Sequence, residues 1–167
     1  MDMQTFSIQG LALITPPRFE DHRGFFEPVY NASAFRANGL PSEFCRLNRS
    51  FSKQRGTLRG MHHQLPPYQE AKLVRVLRGA VWDVCLDIRR TEPTYGEHVG
   101  FELSAENRLM ALLPAGCAHG FLTLTDDVEV EYLCSSGYHP SHERSIRWDE
   151  PRFGIRWPQH PVCLSDK

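Results

Sequence analysis

Three short stretches of this sequence concentrate side chains that could transfer protons or bind an anion. They are residues 59–64 (RGMHHQ), residues 70–72 (EAK) and residues 114–121 (PAGCAHGF). Histidine supplies a base near neutral pH, lysine a cation, and a tyrosine such as Tyr132 a phenolic acid. Taken singly, each residue has an ordinary structural role. Together, on strands that share one interior, they indicate acid–base catalysis.

A metal site is the alternative interpretation of the same histidines. His62, His63, Glu70 and His119 are similar to the ligand set of metal-binding cupins. Because adjacent side chains on a strand face opposite ways, only one of His62 and His63 can point inward without a bulge. That leaves fewer donors than the three or four that a first-row metal prefers, so metal binding is the minor hypothesis.

Other catalytic classes have weaker signals in this sequence. Cys117 lies two residues before His119, but in a Pro-Gly loop, where a reactive thiolate would be unusual. The sequence contains no phosphate-binding P-loop and no dinucleotide-binding fingerprint. Their absence counts against an NTPase or a nicotinamide-dependent enzyme.

The composition predicts a single domain spanning residues 1–167. Apolar residues make up 41% of the chain, and 19 basic against 20 acidic side chains give a net charge of −1. We therefore expect no nucleic-acid or membrane partner, and any anion must be bound by local arginines. The N-terminal residues lack a signal-peptide pattern, and no apolar run approaches the ~20 residues of a membrane span. Five scattered cysteines without a CxxC motif predict a reducing, cytoplasmic location.

The elements that must position these residues have the pattern of short strands. Apolar and polar side chains alternate in residues 72–78, 81–88 and 128–134. Shorter strands are expected at residues 6–13, 24–30, 58–63, 99–103 and 110–113. The best helix covers residues 33–38, with Ser33 as its N-cap and Gly39 as its stop. Many short strands with Pro and Gly punctuation favour an antiparallel sandwich or a jelly-roll barrel.

Three polar residues fall on strand faces that are otherwise apolar, namely Lys72, Asp83 and Tyr132. A polar side chain inside a barrel costs free energy unless it is paired or used by a ligand. These three residues are therefore candidates for a pocket wall.

A set of motifs, in order along the chain, resembles the dTDP-4-dehydrorhamnose 3,5-epimerase family. The motifs are residues 21–27 (DHRGFFE), 57–67 (TLRGMHHQLPP), 70–75 (EAKLVR), 79–89 (GAVWDVCLDIR), 114–121 (PAGCAHGF), 138–143 (YHPSHE) and 146–151 (IRWDEP). The resemblance runs from about residue 19 to residue 167. The ordered set is far more specific than any one of its motifs.

The resemblance implies a fold, an activity and an assembly. The implied fold is all-β, a cupin-type antiparallel β jelly-roll barrel with few short helices. The implied activity is that of an isomerase, an epimerase without metal or other cofactor. It would act through an enolate at C3 and C5, or at C3 only, of a nucleotide-linked 4-keto-6-deoxyhexose. The expected substrate is dTDP-4-dehydro-6-deoxyglucose, as in dTDP-rhamnose and polysaccharide biosynthesis. The implied assembly is a homodimer that exchanges N-terminal strands.

The resemblance also implies roles for individual residues. His62 matches the family's base, Lys72 the cation that meets the enolate oxygen, and Tyr132 the acid on the opposite face of the sugar. The positions that match substrate contacts are Arg23 and Arg59 for the diphosphate, Glu27 and Asn48 for nucleotide or sugar, Tyr138 for stacking on the base, and His119, Glu143 and Lys167 for other contacts. Arg46 stands where the family usually has glutamine, and it could add positive charge near the nucleotide.

Three points of the sequence depart from a simple match. The family's base is oriented by an aspartate just after a Leu-Ser-x-Lys segment, whereas this sequence reads LSDK at residues 164–167. Asp166, Asp83 or another acid could replace that aspartate. The alternative function is a sugar-nucleotide-binding cupin with weak or no epimerase activity. Cys117 replaces a common aromatic residue before His119. Finally, Arg59 and His62 fall on opposite faces of an ideal strand, so both can reach one ligand only if the strand bends.

Overall fold

The computed structural model describes residues 1–165, which form thirteen strands and one helix. The strands are β1 Asp2–Thr5, β2 Ala12–Thr15, β3 Phe19–Asp21, β4 Gly24–Phe26, β5 Arg46–Ser52, β6 Leu58–Gln64, β7 Lys72–Arg78, β8 Ala80–Asp87, β9 His98–Ser104, β10 Met110–Leu113, β11 Cys117–Thr123, β12 Val128–Cys134 and β13 Glu143–Ser145; the helix is α1 Ala32–Ala37.

Two antiparallel sheets carry almost all of these strands. The order in the six-stranded sheet is β1-β2-β10-β7-β12-β5, and the order in the five-stranded sheet is β13-β6-β11-β8-β9. Strands β3 and β4 form a separate hairpin. Successive strands in the chain often belong to opposite sheets, as expected for a jelly roll. The predicted all-β, cupin-type architecture is confirmed.

The main core fills the space between the two sheets. Val74 and Val130 enter it from the six-stranded sheet, and Cys85 and Phe121 from the five-stranded sheet. The alternating strand residues thus point inward, as a half-buried sheet requires. This interior is also where the polar candidates on β7, β8 and β12 must lie, because they share the alternation of their apolar neighbours.

The outer faces of the sheets are covered in part by later segments of the chain. Val84 and Leu86 of β8 pack outside the five-stranded sheet against residues that include Ile155 and Trp157. Phe35 of α1 packs on Leu73 outside the six-stranded sheet. Strand β8 is therefore buried on both faces, which explains why both of its alternating sets are largely apolar.

Most of the predicted strands are confirmed, three of them with the bounds of β7, β10 and β12. The strand predicted at residues 6–13 is wrong, because β1 ends at Thr5 and β2 begins at Ala12. The segment before His119 is not a loop, since Cys117 begins β11. All seven residues of β11 are buried, so the strand lacks the alternation by which a half-exposed strand is recognised.

The helix begins earlier than predicted. Asn31, not Ser33, is the N-cap, and its side-chain oxygen accepts a hydrogen bond from the Ala34 backbone N–H at 3.0 Å. Both residue types cap helices well, so local composition alone does not distinguish them. Burial of Phe35 against the sheet sets the register that places Asn31 at the cap.

Strand β6 carries one extra residue at Gly60, and this irregularity shapes the site. His62 lies opposite His119 and Arg59 lies opposite Phe121, so three steps on β6 match two steps on β11. Arg59 and His62 consequently share one face of the sheet, which resolves the conflict posed by an ideal strand. Gly60 has a φ of +124°, and a Cβ on it would lie 2.7 Å from the His119 carbonyl oxygen.

Gly60→Ala is expected to destabilise the protein more than Gly24→Ala does. The two glycines have nearly equal φ values, but a Cβ on Gly24 meets nothing within 4 Å. Backbone strain costs about 1–3 kcal/mol at either position, and overpacking adds about 1–3 kcal/mol at Gly60 alone. Urea unfolding of both variants measures the difference. Equal destabilisation by the two substitutions would contradict the close packing of β6 on β11.

Candidate active site

A buried histidine–carboxylate pair lies in the wall formed by the five-stranded sheet. Nε2 of His119 lies 2.7 Å from Oδ2 of Asp83, and Asp83 is fully buried. A carboxylate can only accept, so His119 Nε2–H is the donor and the tautomer of the ring is set. His62 lies directly opposite His119 in the register of β6 and β11, on the same inward face. The hydrogen-bond partner of Asp83 is thus His119, so Asp83 does not take the place of the aspartate that orients the family's base.

Tyr132 lies in the opposite wall, in the six-stranded sheet. Its register neighbours are Asn48 on β5 and Val74 on β7, and its ring packs against the main core. Burial raises the pKa of Tyr132, with the nearby Cys134 adding to the effect. The phenol is therefore protonated at neutral pH and can donate a proton.

Lys72 begins β7 in the same wall and faces the interior. Only 12% of its side chain is exposed, and its Nζ lies 3.4 Å from Oε1 of Glu70. Burial lowers the pKa of His63 on β6, and the positive charge of Lys72 lowers it further. The charge of Lys72 is thus felt on the opposite sheet, which means that the two walls are close together at this point.

The two walls place a histidine and a phenol on opposite sides of one interior space. His62 comes from the five-stranded sheet and Tyr132 from the six-stranded sheet, while Lys72 lies beside Tyr132's strand. Buried polar atoms that face this space, Asp83 Oδ1 and Ser50 Oγ, have no hydrogen-bond partner among residues 1–165. A polar ligand or water can satisfy them. Such a pocket can remove a proton from one face of a bound carbon and return a proton to the other.

The comparisons with known proteins identify the family. The sequence profile of the dTDP-4-dehydrorhamnose 3,5-epimerase family matches residues 5–167. The chain belongs to this family. A family member from Sinorhizobium fredii is 44% identical over 168 residues, an alignment that covers 100% of this chain and 86% of the relative. The predicted family and epimerase function are confirmed, and the binding-only alternative is not favoured.

Two solved structures show how closely the fold matches the family. A dTDP-6-deoxy-D-glucose-3,5-epimerase from Legionella pneumophila, in complex with dTDP-4-keto-L-rhamnose, has a TM-score of 0.93 at 39% identity and covers 99% of this chain and 88% of its own. A 3'-monoepimerase from Streptomyces bikiniensis, in complex with dTDP-quinovose, has a TM-score of 0.89 at 38% identity and covers 98% and 83%. The family thus contains epimerases described as acting at two centres and at one.

Arg59 lies at the rim of the pocket in this epimerase-family chain. Its Nε donates to Ser52 Oγ at 3.0 Å, and its NH2 donates to the Phe51 carbonyl oxygen at 2.9 Å. These bonds join β6 of one sheet to the edge strand β5 of the other. The guanidinium is thereby oriented at the opening, where its remaining N–H groups can meet an anion.

Tyr138 and Glu143 form a polar shelf beside the same opening. The Tyr138 hydroxyl donates to Glu143 Oε2 at 2.8 Å, and half of the tyrosine is exposed. The guanidinium carbon of Arg46 lies 5.7 Å from the centre of the Tyr138 ring. An exposed ring held at its hydroxyl offers a flat surface on which a nucleobase can stack.

Gln64 is a residue of the site that the sequence did not single out. Its Nε2 donates to the carbonyl oxygens of Tyr68 at 2.9 Å and Gly137 at 3.0 Å, and its Oε1 accepts from the His139 N–H at 2.7 Å. It thus ties the segment that carries Tyr138 to β6. Its position two residues after His62, on the same strand face, is the signal that could have revealed it.

Arg23 and Glu27 are not brought to the pocket of their own chain. Arg23 binds Asp21 at 2.6 Å within the exposed β3–β4 hairpin. Glu27 binds Arg108 at 2.6 Å and lies near Arg75, whose side chain points outward from β7. Lys167, the last predicted contact, lies outside the described residues, as does Asp166.

The metal-site alternative finds its residues otherwise engaged. Glu70 binds Arg46 and Lys72, and His119 binds Asp83. Within residues 1–165, no three His, Cys, Asp or Glu side chains are arranged to hold a metal ion. In the same part of the chain, no helix is long and apolar enough to span a membrane.

Proposed function

We propose that this chain epimerises a dTDP-linked 4-keto-6-deoxyhexose at C3, and at C5 where both centres react, without metal or other cofactor. The observation that carries the proposal is the placement of His62 and Tyr132 in opposite walls with Lys72 between them in the interior. Inversion requires two proton-transferring groups on two faces, because return of the proton from the same side restores the starting sugar.

In the proposed reaction, His62 removes the proton from C3. The electrons of the broken C–H bond form the enolate double bond, and negative charge moves to the oxygen of the 4-ketone. Lys72 donates a hydrogen bond to that oxygen and stabilises it. The Tyr132 hydroxyl then protonates C3 from the opposite face. The resulting imidazolium and phenolate return to their starting states by proton exchange with solvent.

The nucleotide end of the substrate is assigned to the rim of the same pocket. Arg59 and Arg46 offer guanidinium groups for the diphosphate or nucleotide, a role that suits their planar fork. Tyr138 offers its exposed ring to the base, steadied by Glu143. Asn48 and His119 face the interior and are proposed to contact the sugar. The complexes of the relatives with dTDP-4-keto-L-rhamnose and dTDP-quinovose support a dTDP-sugar substrate.

The active assembly is proposed to be a homodimer in which the N-terminal hairpin reaches a second copy. Phe19, Phe25 and Phe26 of this hairpin are each at least 60% exposed. A cluster of exposed aromatic rings of this kind is characteristic of a protein–protein contact. In the dimer, Arg23 and Glu27 would serve the pocket of the second copy, which accounts for their distance from their own.

Mixed dimers provide the test of this exchange. His62→Ala and Arg23→Ala are each expected to lose most activity as homodimers. Co-expressed and randomly paired, they should recover about a quarter of the wild-type activity, because only half of the dimers are mixed and each contains one intact site. Activity that stays at the level of the separate variants would mean that Arg23 does not act across an interface.

Residues 1–167 are proposed to act as one cupin-like domain located in the cytoplasm. All five cysteines are free, including the exposed Cys45 and Cys163. Free thiols on the surface suit a reducing compartment.

An exchange assay tests the proposed reaction directly. Incubation with dTDP-4-keto-6-deoxyglucose in D2O is expected to replace the C3 proton by deuterium, and the C5 proton as well if both centres react. One-dimensional proton NMR follows both positions, and EDTA should leave the rate unchanged. Tight dTDP binding without exchange at either carbon would instead establish a binding protein.

A further inference from the structure

Three charged side chains meet on the inner face of the six-stranded sheet. Arg46 NH2 lies 2.6 Å from Glu70 Oε2, and Lys72 Nζ lies 3.4 Å from Glu70 Oε1. The exposed fractions of the side chains are 24% for Arg46, 8% for Glu70 and 12% for Lys72. The two cations thus share one nearly buried carboxylate.

The register of the sheet produces this cluster. Arg46 on β5, Cys134 on β12 and Lys72 on β7 lie side by side across three neighbouring strands. Glu70 precedes Lys72 by two residues, so its side chain is directed to the same face and can reach over Cys134. The charges of Arg46 and Glu70 also act on the pKa of Tyr132, after burial and Cys134, which places the cluster beside the phenol.

The two contacts of the carboxylate are unequal. The 2.6 Å contact with Arg46 is a short charge-assisted hydrogen bond, whereas 3.4 Å from Lys72 exceeds the usual length of one. Glu70 therefore restrains the ammonium without occupying it fully. The three groups sum to one positive charge, so Lys72 keeps N–H donors and net positive charge for a ligand oxygen.

We propose that Glu70 is a positioning residue for Lys72 and that Arg46 balances the charge of Glu70, which keeps the ammonium electrophilic toward the enolate. This inference rests on the proposed function, in which Lys72 meets the developing enolate oxygen. Without Arg46, the carboxylate would have Lys72 as its only cation in the cluster, and the pair would be neutral. Transition-state stabilisation at the 4-keto oxygen would then weaken.

A simpler role for Arg46 makes a different prediction. Its guanidinium lies near the Tyr138 ring, so it could act only as a nucleotide contact. In that case its removal would raise KM and leave kcat unchanged, and a change at Glu70 would not restore activity. Charge balance instead predicts a loss in kcat that neutralisation of Glu70 reverses.

A charge-restoring pair of substitutions tests the inference. Arg46→Gln is expected to lower kcat for C3 exchange by about tenfold, because one preorganised donor is weakened but not lost. Arg46→Gln combined with Glu70→Gln restores one positive charge on Lys72, and kcat should return to within about threefold of wild type. Arg46→Lys keeps the charge and should stay near wild type. Arg147→Gln, which breaks an exposed ion pair with Asp149, is the matched control.

The outcomes separate this inference from the proposed function. A double variant no faster than Arg46→Gln, or a pure KM effect in Arg46→Gln, overturns the charge-balance role. If Arg46→Gln alone does not fold, as judged by circular dichroism, the double variant decides: a kcat about tenfold or more below wild type overturns the inference. Absence of exchange in the wild-type enzyme would instead reject the proposed function itself.

Discussion

Exchange of the C3 proton is expected to fall by about 10²–10⁴-fold when His62 is replaced by asparagine, the range that general-base catalysis contributes. The amide keeps the approximate size of the ring but cannot take a proton at neutral pH. His62 lies on the inward face of β6, opposite His119, in the wall that faces Tyr132. In the proposed reaction it supplies the base for the first step, so both exchange and net inversion should be lost.

The adjacent residue provides the matched control for that experiment. His63→Asn makes the same chemical change one position along β6, on a side chain that faces away from the pocket. Burial lowers the pKa of His63, so this ring is neutral at working pH and is not a competing acid. Exchange should persist in His63→Asn. The NMR assay in D2O compares the two variants, and equal loss in both would show that His62 acts through the structure of the strand.

Tyr132→Phe is expected to separate proton exchange from inversion. Net epimerisation should fall by about 10²-fold or more, because the acid on the opposite face is gone. Deprotonation by His62 can continue, so solvent deuterium should still enter C3 in the starting sugar. The phenylalanine ring fills the same space in the core, and the loss therefore reports the hydroxyl. Its raised pKa means that the hydroxyl carries a proton at neutral pH.

Two measurements decide the Tyr132 experiment. Product formation is followed by NMR of the inverted sugar, and exchange by loss of the C3 proton signal in recovered substrate. Tyr95→Phe is the control, because Tyr95 packs near Phe153 on the outer side of the five-stranded sheet. Full activity in Tyr132→Phe would make the phenol a structural residue. Loss of both exchange and inversion would place Tyr132 in the deprotonation step.

The strands that the sequence predicts best are those with one clear inner face. Strands β7, β10 and β12 were predicted with their observed bounds. Strand β11 was interpreted as a loop because both of its faces are buried. Strand β5 was not predicted, because its inward positions carry polar residues such as Asn48 and Ser50, and its outward positions include the exposed Leu47 and Phe51. A polar pocket wall reverses the pattern on which strand prediction depends.

The chemistry of the site was accessible from the sequence, whereas its geometry was not. Residue types limit what His62, Lys72 and Tyr132 can do, and the ordered motifs identify the family. Whether Arg59 joins His62 on one face depended on the extra residue at Gly60, which no local pattern reports. The same is true of the hydrogen bonds by which Gln64 holds the segment that carries Tyr138.

The sequence by itself determined an all-β chain of the epimerase family with a histidine, a lysine and a tyrosine as its reactive groups. These properties follow from side-chain chemistry, alternation along single strands and the order of motifs. Only the tertiary structure decided that Asp83 pairs with His119 and that Glu70 links Arg46 to Lys72. Such pairings depend on which strands become neighbours and in what register, and burial of the whole core sets both.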